Sequence, residues 1–117
     1  MRNLSVRVGL TIVVLVVGGC TKPPRGSKYV SDPDPTVKIP AIHRSVEERN
    51  AKALPTLVKD LASDDPAVRF YVIGALMKFT GGDAMGYVYY ASPEDRAPAI
   101  ERWKAWLAQR EETHTAP

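Results

Sequence analysis

Cysteine and histidine, two residue types that catalytic and metal sites often use, are scarce in this chain. Cys20 is the one cysteine among 117 residues, so an internal disulfide is excluded. The two histidines, His43 and His114, are far apart in the sequence, and the patterns HExxH and CxxC are absent, as is a glycine-rich phosphate-binding loop. The sequence therefore predicts no catalytic residue, no cofactor and no metal site, in a protein that is not an enzyme.

A large excess of charge of one sign is also lacking. The formal net charge is +3, from 16 basic and 13 acidic residues that are interspersed along the chain. Nucleic-acid binding needs a basic face or stripe, which this pattern does not provide. The acidic pairs Glu47-Glu48 and Asp64-Asp65 show no sign of the burial that a catalytic carboxyl needs. We expect no nucleic-acid partner.

The N-terminus has the organisation of a signal peptide. Arg2 and Arg7 form a positive region, residues 8–17 are uncharged and mostly apolar, and Gly18-Gly19 provides small residues for a peptidase. The apolar run covers about ten residues, whereas a helix that spans a bilayer needs about 20. We therefore predict a cleaved signal peptide over residues 1–19, with an uncleaved membrane anchor as the alternative. Cleavage leaves 14 basic and 13 acidic residues, a net charge of +1.

The residues at the predicted cleavage site, Val17-Gly18-Gly19-Cys20, resemble the lipobox of bacterial lipoproteins. In that family the peptidase cuts before the cysteine, the thiol carries a diacylglycerol, and the new amino group is acylated, for example with palmitate. The resemblance implies lipidation at Cys20 and firm anchoring, since several acyl chains bind a membrane stably where one is marginal. It implies a location at the cell membrane or outer membrane, facing the periplasm or the exterior. Thr21 replaces the Asp that some bacteria use for inner-membrane retention, which favours the outer membrane.

Residues 20–40 are rich in proline. Five of the ten prolines fall here, at positions 23, 24, 33, 35 and 40. Proline lacks an N–H donor and pushes the preceding residue into extended geometry. We therefore predict a disordered tether that holds the following domain clear of the lipid headgroups. A docking peptide is the alternative, but PxxP spacing with basic flanks is absent.

Helical periodicity begins at Ile39. With Ile42 and Val46, this residue recurs at spacings of three and four, which predicts a first helix over about 41–50. A second apolar stripe predicts a helix over about 53–62. The members of that stripe are Leu54, Leu57, Val58 and Leu61.

A third helix is predicted over about 66–79. Ser63-Asp64-Asp65-Pro66 is a helix-start signal, because an Asp can cap free N–H groups and Pro66 suits the first helical position. Gly74 lies inside this helix, where it either permits another helix to approach closely or is merely tolerated. Gly81-Gly82 provides a left-handed residue after the helix.

A fourth helix is predicted over about 93–110. Ser92-Pro93 repeats the start signal, and Pro98 is expected to kink the helix or to move its start to Ala97. The loop between the third and fourth helices is rich in tyrosine, which favours a short extended piece. Residues 111–117 are expected to fray.

Residues 53–80 resemble one HEAT repeat, a pair of antiparallel helices. The matching residues are Leu54-Pro55, Leu57, Asp64-Asp65-Pro66, Val68-Arg69 and Ala75-Leu76. The resemblance implies an all-α fold, a small antiparallel domain of about four helices over residues 41–110. HEAT proteins stack three or more repeats. The outer helices here therefore either cap the repeat or leave one of its faces open.

A similar arrangement occurs in small bacterial envelope proteins. There a HEAT unit is followed by Thr-Gly, by Gly-Tyr, by an arginine and by a helix with Arg-Trp-x-x-Trp-Leu. The corresponding residues here are Thr80-Gly81, Gly86-Tyr87, Arg96 and Arg102 to Leu107. This resemblance implies a fold and no established activity. Arg69 matches the arginine of HEAT repeats, which implies a structural ion pair with Asp64 or Asp65.

Aromatic residues are concentrated near the C-terminus. Five of the nine fall within twenty positions. They are Tyr87, Tyr89, Tyr90, Trp103 and Trp106. Aromatic residues on a loop and an adjoining helix serve as interface anchors, and they also close the end of a small core. Both interpretations stay open at this point.

Three functions fit this pattern. The first is a membrane-anchored envelope lipoprotein whose helical domain is a non-enzymatic protein-binding or scaffold module, with an envelope protein as its partner. The second is an accessory subunit of an enzyme assembly, as in the lyase-type HEAT proteins that the repeat resembles. The third is a small-ligand binder that uses the Tyr/Trp loop. An exposed apolar patch favours the first two, whereas a closed pocket lined by Tyr87, Tyr89 and Trp103 favours the third.

Overall fold

Four α-helices and one 3₁₀ turn account for most of the chain that the computed structural model describes, residues 29–116. The elements are α1 (Pro35–Glu47), the 3₁₀ turn (Ala51–Ala53), α2 (Leu54–Asp60), α3 (Pro66–Phe79) and α4 (Pro93–Thr115). No strand occurs within residues 29–116, and the predicted all-α class is confirmed. The predicted signal peptide, the predicted lipidation site at Cys20 and the predicted tether up to residue 28 lie outside the described residues.

Three of the helices begin with the same local motif, a capping side chain followed by proline at the first helical position. Asp65 Oδ1 accepts a hydrogen bond from the Ala67 amide at 2.8 Å, and Ser92 Oγ accepts one from the Asp95 amide at 3.1 Å. These two helix starts were predicted, and both are confirmed. Asp34 caps α1 in the same way and accepts bonds from the Thr36 amide and hydroxyl, which lower the pKa of the Asp34 carboxyl.

The predicted tether ends too late in the sequence. Helix α1 starts at Pro35 rather than at about residue 41, and Val30, ahead of it, is completely buried. Residues 29–40 are therefore part of the domain. Pro40 is tolerated inside α1 because the amide it lacks would only have bonded the carbonyl of the exposed residue Thr36.

The predicted frayed tail is wrong for residues 111–115, because α4 continues to Thr115. No glycine or proline interrupts the sequence after Pro98 before that point, so nothing in it opposes the helix. The alternative start at Ala97 is also wrong. The helix begins at Pro93, and the Arg96 amide donates to the Ser92 carbonyl at 3.0 Å.

Helix α3 packs against two of the other helices. Its partners are α1 and α2, and α2 also contacts α4. The completely or almost completely buried large hydrophobic side chains come from all four helices, the segment before α1 and the turn after α2. They are Val30, Ile42, Leu54, Leu57, Leu61, Val72, Leu76 and Trp103. Burial of each contributes about 1.5–3 kcal/mol of hydrophobic stabilisation relative to exposure.

The chain leaves α3 through the predicted glycine cap. Gly81 and Gly82 have φ angles of +70° and +102°, and the Gly82 amide donates to the Met77 carbonyl at 2.8 Å. Residues 83–92 then return to the start of α4 through turns. The expected extended piece in this loop is wrong, since no strand forms there.

Candidate functional site

The loop between α3 and α4 is held to the helices by side chains that donate to backbone carbonyls. Arg96 on α4 donates through Nε to the Ala91 carbonyl and through Nη1 to the Leu61 carbonyl, both at 3.1 Å. The Tyr87 hydroxyl donates to the same Leu61 carbonyl at 2.6 Å. One oxygen after α2 therefore receives two donors, and the loop is joined to α2 and α4 at once.

Two neighbouring residues of α4 fix the middle of the loop. Arg102 Nε donates to the Met85 carbonyl at 2.8 Å, and Trp103 Nε1 donates to the Ala84 carbonyl at 3.1 Å. Gly86 has a φ of +77°, and a Cβ at this position would lie 2.7 Å from Arg102 Nη2. The positive φ favours glycine here, because residues with a side chain are strained in that conformation.

The predicted ion pair between Arg69 and Asp64 or Asp65 is absent. Arg69 Nε instead donates to the Tyr89 carbonyl at 2.8 Å, and Nη1 donates to the Ser63 carbonyl at 2.7 Å. The carboxylate of Asp65 caps α3, so it is already engaged by a backbone amide. Within residues 29–116, ion pairs join Lys38 to Asp60 and Lys104 to Glu101.

The hydroxyl of Tyr87 gives the domain a predicted sensitivity to alkali. Burial raises the pKa of this hydroxyl above its ordinary value of 10.0, with Arg96 opposing part of the shift. The stability that this group contributes is therefore present below pH 10 and is lost as the pH rises through the raised pKa. We expect Tyr87→Phe to lower the free energy of unfolding by about 1 kcal/mol at neutral pH, because Arg96 still bonds the Leu61 carbonyl.

The measurement is urea unfolding of both proteins from pH 7 to pH 11. The difference between wild type and Tyr87→Phe should shrink as the pH rises above 10, because only the wild type loses the Tyr87 contribution. A difference that stays constant over this range would contradict the assignment.

The structure divides the predicted aromatic interface into two groups. Tyr87 and Trp103 belong to the core, and Trp103 is completely buried. Trp106 is half-buried and packs edge-on against Trp103, with ring centroids 5.3 Å apart. Tyr89 is half-buried at the surface, and Tyr90 is 76% exposed. Of the five residues of the predicted aromatic interface, Tyr89 and Tyr90 are therefore the ones whose rings reach the surface away from the two tryptophans.

These two tyrosines continue a row of aromatic rings that includes residues the sequence analysis did not select. Phe70, which is 51% exposed, lies 5.3 Å from Tyr71 and 5.1 Å from Tyr89, and Tyr89 lies 5.2 Å from Tyr90, all as edge-on ring pairs. His43 on α1 meets Tyr71 at 5.1 Å. Consecutive aromatic residues on one helix cannot both face the same core, and this is the signal in Phe70-Tyr71 that sequence reasoning missed.

An open apolar groove of about 430 Å³ runs beside this row, between α1 and α3. Its apolar lining comes mainly from Ile42, Val46, Ile73 and Met77, with Phe70, Tyr71 and Tyr89 along one side. His43, Glu47 and Lys78 add polar groups. An apolar floor with a polar border is the composition of a protein-binding surface.

Gly74 forms part of the groove. It is exposed, and no atom of residues 29–116 lies within 4 Å of the position that a Cβ would occupy, apart from its own helix and chain neighbours. The close approach of another helix, one of the two predicted reasons for this glycine, is therefore wrong. Gly74 leaves open the space that any larger side chain would fill.

Two other kinds of site, a metal site and a membrane-spanning helix, do not occur in the described part of the chain. Among residues 29–116, no three His, Cys, Asp or Glu side chains are grouped so that they could hold a metal ion. No helix in this range is long and apolar enough to cross a bilayer. Comparison of the chain with protein-family models, with curated proteins and with solved structures finds no match.

Proposed function

We propose that this protein is a lipid-anchored protein of the bacterial envelope whose helical domain binds a segment of another polypeptide, without catalysing a reaction. The binding site is the groove between α1 and α3, bordered by Phe70, Tyr71 and Tyr89. The anchor is the lipid expected on Cys20. The lipobox resemblance supports the anchor, and the groove supports the binding.

The observation that carries the proposal is Gly74. A glycine inside a helix is destabilising by about 0.5–1 kcal/mol relative to alanine. No contact in the described domain explains that cost, since the space above Gly74 is open. A partner side chain that enters this space would explain it, because glycine lets a ligand approach the backbone closely.

A polypeptide is the class of partner that suits the groove best. Exposed aromatic rings are the usual anchors of protein interfaces, and Phe70 is half exposed with its ring held between Tyr71 and Tyr89. An amphipathic helix that presents large apolar side chains is a common occupant of a groove between helices. The accessory-subunit function uses the same surface and differs only in the identity of the partner.

The small-ligand alternative has less support. It needs a pocket lined by Tyr87, Tyr89 and Trp103, but Tyr87 and Trp103 are buried in the core. Their polar atoms are already bonded to the carbonyls of Leu61 and Ala84. Neither residue has a free donor to offer a ligand.

A pair of substitutions at Gly74 tests the binding site. Gly74→Ala should raise the free energy of unfolding by about 0.5–1 kcal/mol and weaken binding, because its methyl group occupies the space that the partner side chain enters. Gly74→Phe should fill the groove and abolish binding. The readout is photo-crosslinking in intact membranes from a photoreactive residue at position 70, with position 108 on exposed α4 surface as the control.

The expected result is a polypeptide crosslinked from position 70 that is strongest in wild type, weaker in Gly74→Ala and absent in Gly74→Phe. Crosslinking in both variants equal to that of wild type, or equal crosslinking from positions 70 and 108, would show that the groove is not the binding site. Thermal unfolding of Gly74→Phe confirms that a loss of crosslinking is not a loss of fold.

The anchor is tested separately. Cys20→Ser should abolish incorporation of labelled fatty acid and release the protein from the membrane fraction on washing, because the thiol that carries the lipid is gone. The readouts are metabolic labelling and fractionation. Firm membrane association of the unlabelled variant would favour an uncleaved N-terminal anchor instead.

A further inference from the structure

A second cavity, of about 460 Å³, adjoins the apolar groove at the C-terminal ends of α1 and α3. Its lining consists of Val46, Arg49, Lys78, Phe79 and Arg110, and Val46 and Lys78 also line the groove. Three of these five residues are cations, and none is acidic. We refer to this cavity as the basic cleft.

Arg110 is the most informative residue of the basic cleft. Its Nε is buried, and it has no hydrogen-bond partner in the part of the chain that the structure describes. The guanidinium carbon lies 5.6 Å from the centroid of the Trp106 ring and 6.0 Å from that of Phe79. The two rings hold the guanidinium in place. The guanidinium forms no ion pair within residues 29–116, so its charge is available to an acceptor from outside the domain.

The other two cations are also available. Neither Arg49 nor Lys78 forms an ion pair with any residue of 29–116. Both lie near helix C-termini, where the partial negative charge of the last carbonyls favours cations. That effect accounts for their positions but not for Arg110, which reaches the cleft from within α4. The nearby acid Glu47 lines the groove rather than the cleft.

From this arrangement we propose that the segment bound in the apolar groove carries a carboxylate, of Asp or Glu, which the basic cleft receives. The inference rests on the proposed function and specifies the chemistry of its partner: large apolar side chains with an acidic side chain beside them. The Arg110 guanidinium donates to the carboxylate in a charge-assisted hydrogen bond, and Arg49 and Lys78 add to the positive field.

A polypeptide is favoured over an anionic lipid headgroup as the source of the negative charge. The cleft is continuous with the groove through Val46 and Lys78, so one bound segment reaches both.

The test uses the full-length protein, purified in detergent from membranes and immobilised, as bait for a phage-displayed library of random peptides. We expect wild type to enrich peptides with large apolar residues and one Asp or Glu at a fixed spacing from them. Arg110→Gln should enrich the same apolar pattern without the acidic position. Lys52→Gln removes an exposed cation on the 3₁₀ turn and should behave as wild type.

Affinities of one enriched peptide and of its amide analogue, with Asp→Asn or Glu→Gln, complete the test. The acidic peptide should bind Arg110→Gln at least about tenfold more weakly than wild type, the loss expected for one charge-assisted hydrogen bond. The amide analogue should bind both proteins equally. The double variant Arg49→Gln/Lys78→Gln should weaken the acidic peptide alone, which keeps the test decisive if Arg110→Gln unfolds.

The outcomes separate this inference from the proposed function. If Gly74→Phe abolishes the binding of the enriched peptides but these peptides carry no preferred acidic residue, the inference is overturned and the proposed function of the groove stands. If no enriched peptide depends on Gly74, both fail. A vesicle assay covers the lipid alternative, with the Cys20→Ser protein and vesicles of equal parts phosphatidylglycerol and phosphatidylcholine. If the protein binds these vesicles, if Arg110→Gln abolishes that binding, and if no acidic peptide is enriched, the cleft binds lipid headgroups and the inference is overturned.

Discussion

Replacement of Trp103 by alanine is expected to lower the free energy of unfolding by about 3–5 kcal/mol, enough to unfold a domain of this size at moderate temperature. Trp103 is completely buried, so the substitution leaves a large cavity. It also removes the donor that Nε1 provides to the Ala84 carbonyl, which lies in the loop before α4. Both effects act on the core and neither depends on a partner.

Trp106→Ala is the matched control for this prediction. Trp106 is half-buried, and none of the described hydrogen bonds uses its ring nitrogen, so we expect a clearly smaller loss. Urea unfolding of the full-length protein, followed by far-ultraviolet circular dichroism, measures both variants. If Trp103→Ala costs no more than Trp106→Ala, then Trp103 is not a core residue, and the division of the aromatic cluster is wrong.

The second large effect is expected at Arg69. Arg69→Met should lower the free energy of unfolding by about 3 kcal/mol, because two hydrogen bonds from a charged donor are lost. The carbonyls of Ser63 and Tyr89 lose their donor, so the loop that carries Tyr89 and Tyr90 should also open more often. Urea unfolding gives the stability, and hydrogen exchange of the amides in residues 87–91 gives the opening of the loop.

Substitution of the aspartates distinguishes this prediction from the ion-pair hypothesis. Asp64 is exposed and forms no ion pair with Arg69, so Asp64→Asn should change stability by less than about 0.5 kcal/mol. Asp65→Asn should also have little effect, because asparagine is itself a good N-cap. A loss of several kcal/mol in either aspartate variant would instead support an ion pair between Arg69 and that aspartate.

The sequence predicts the helices where one local signal dominates. Asp65-Pro66 and Ser92-Pro93 each combine a capping side chain with proline at the first helical position, and both helices begin there. The signal Asp34-Pro35 is the same, and it starts α1. The density of prolines around it favours a tether instead, so the sequence analysis predicts no helix start there. At this position the local helix-start signal, and not the high proline content of the surrounding region, determines the structure.

The candidate site is less predictable, because it depends on which residues meet in space. Nothing in the order of residues indicates that Arg69 reaches the carbonyl of Tyr89, 20 positions away. The aromatic cluster was recognised from its density, but density does not separate the buried Trp103 from the exposed Tyr90. The basic cleft is formed by three cations from three distant parts of the chain, so it could not be identified before the helices were placed.

The way in which the loop is fastened has a consequence for how this surface can change. Arg69, Arg96, Arg102 and Trp103 all hold the loop through its backbone carbonyls, and these bonds do not depend on the side chains at positions 88 and 90. The exposed positions 88 and 90 can therefore be exchanged while the scaffold stays in place. The loop can therefore carry different side chains at these two positions. Natural variation or protein engineering can change which partner the surface binds without changing the fold.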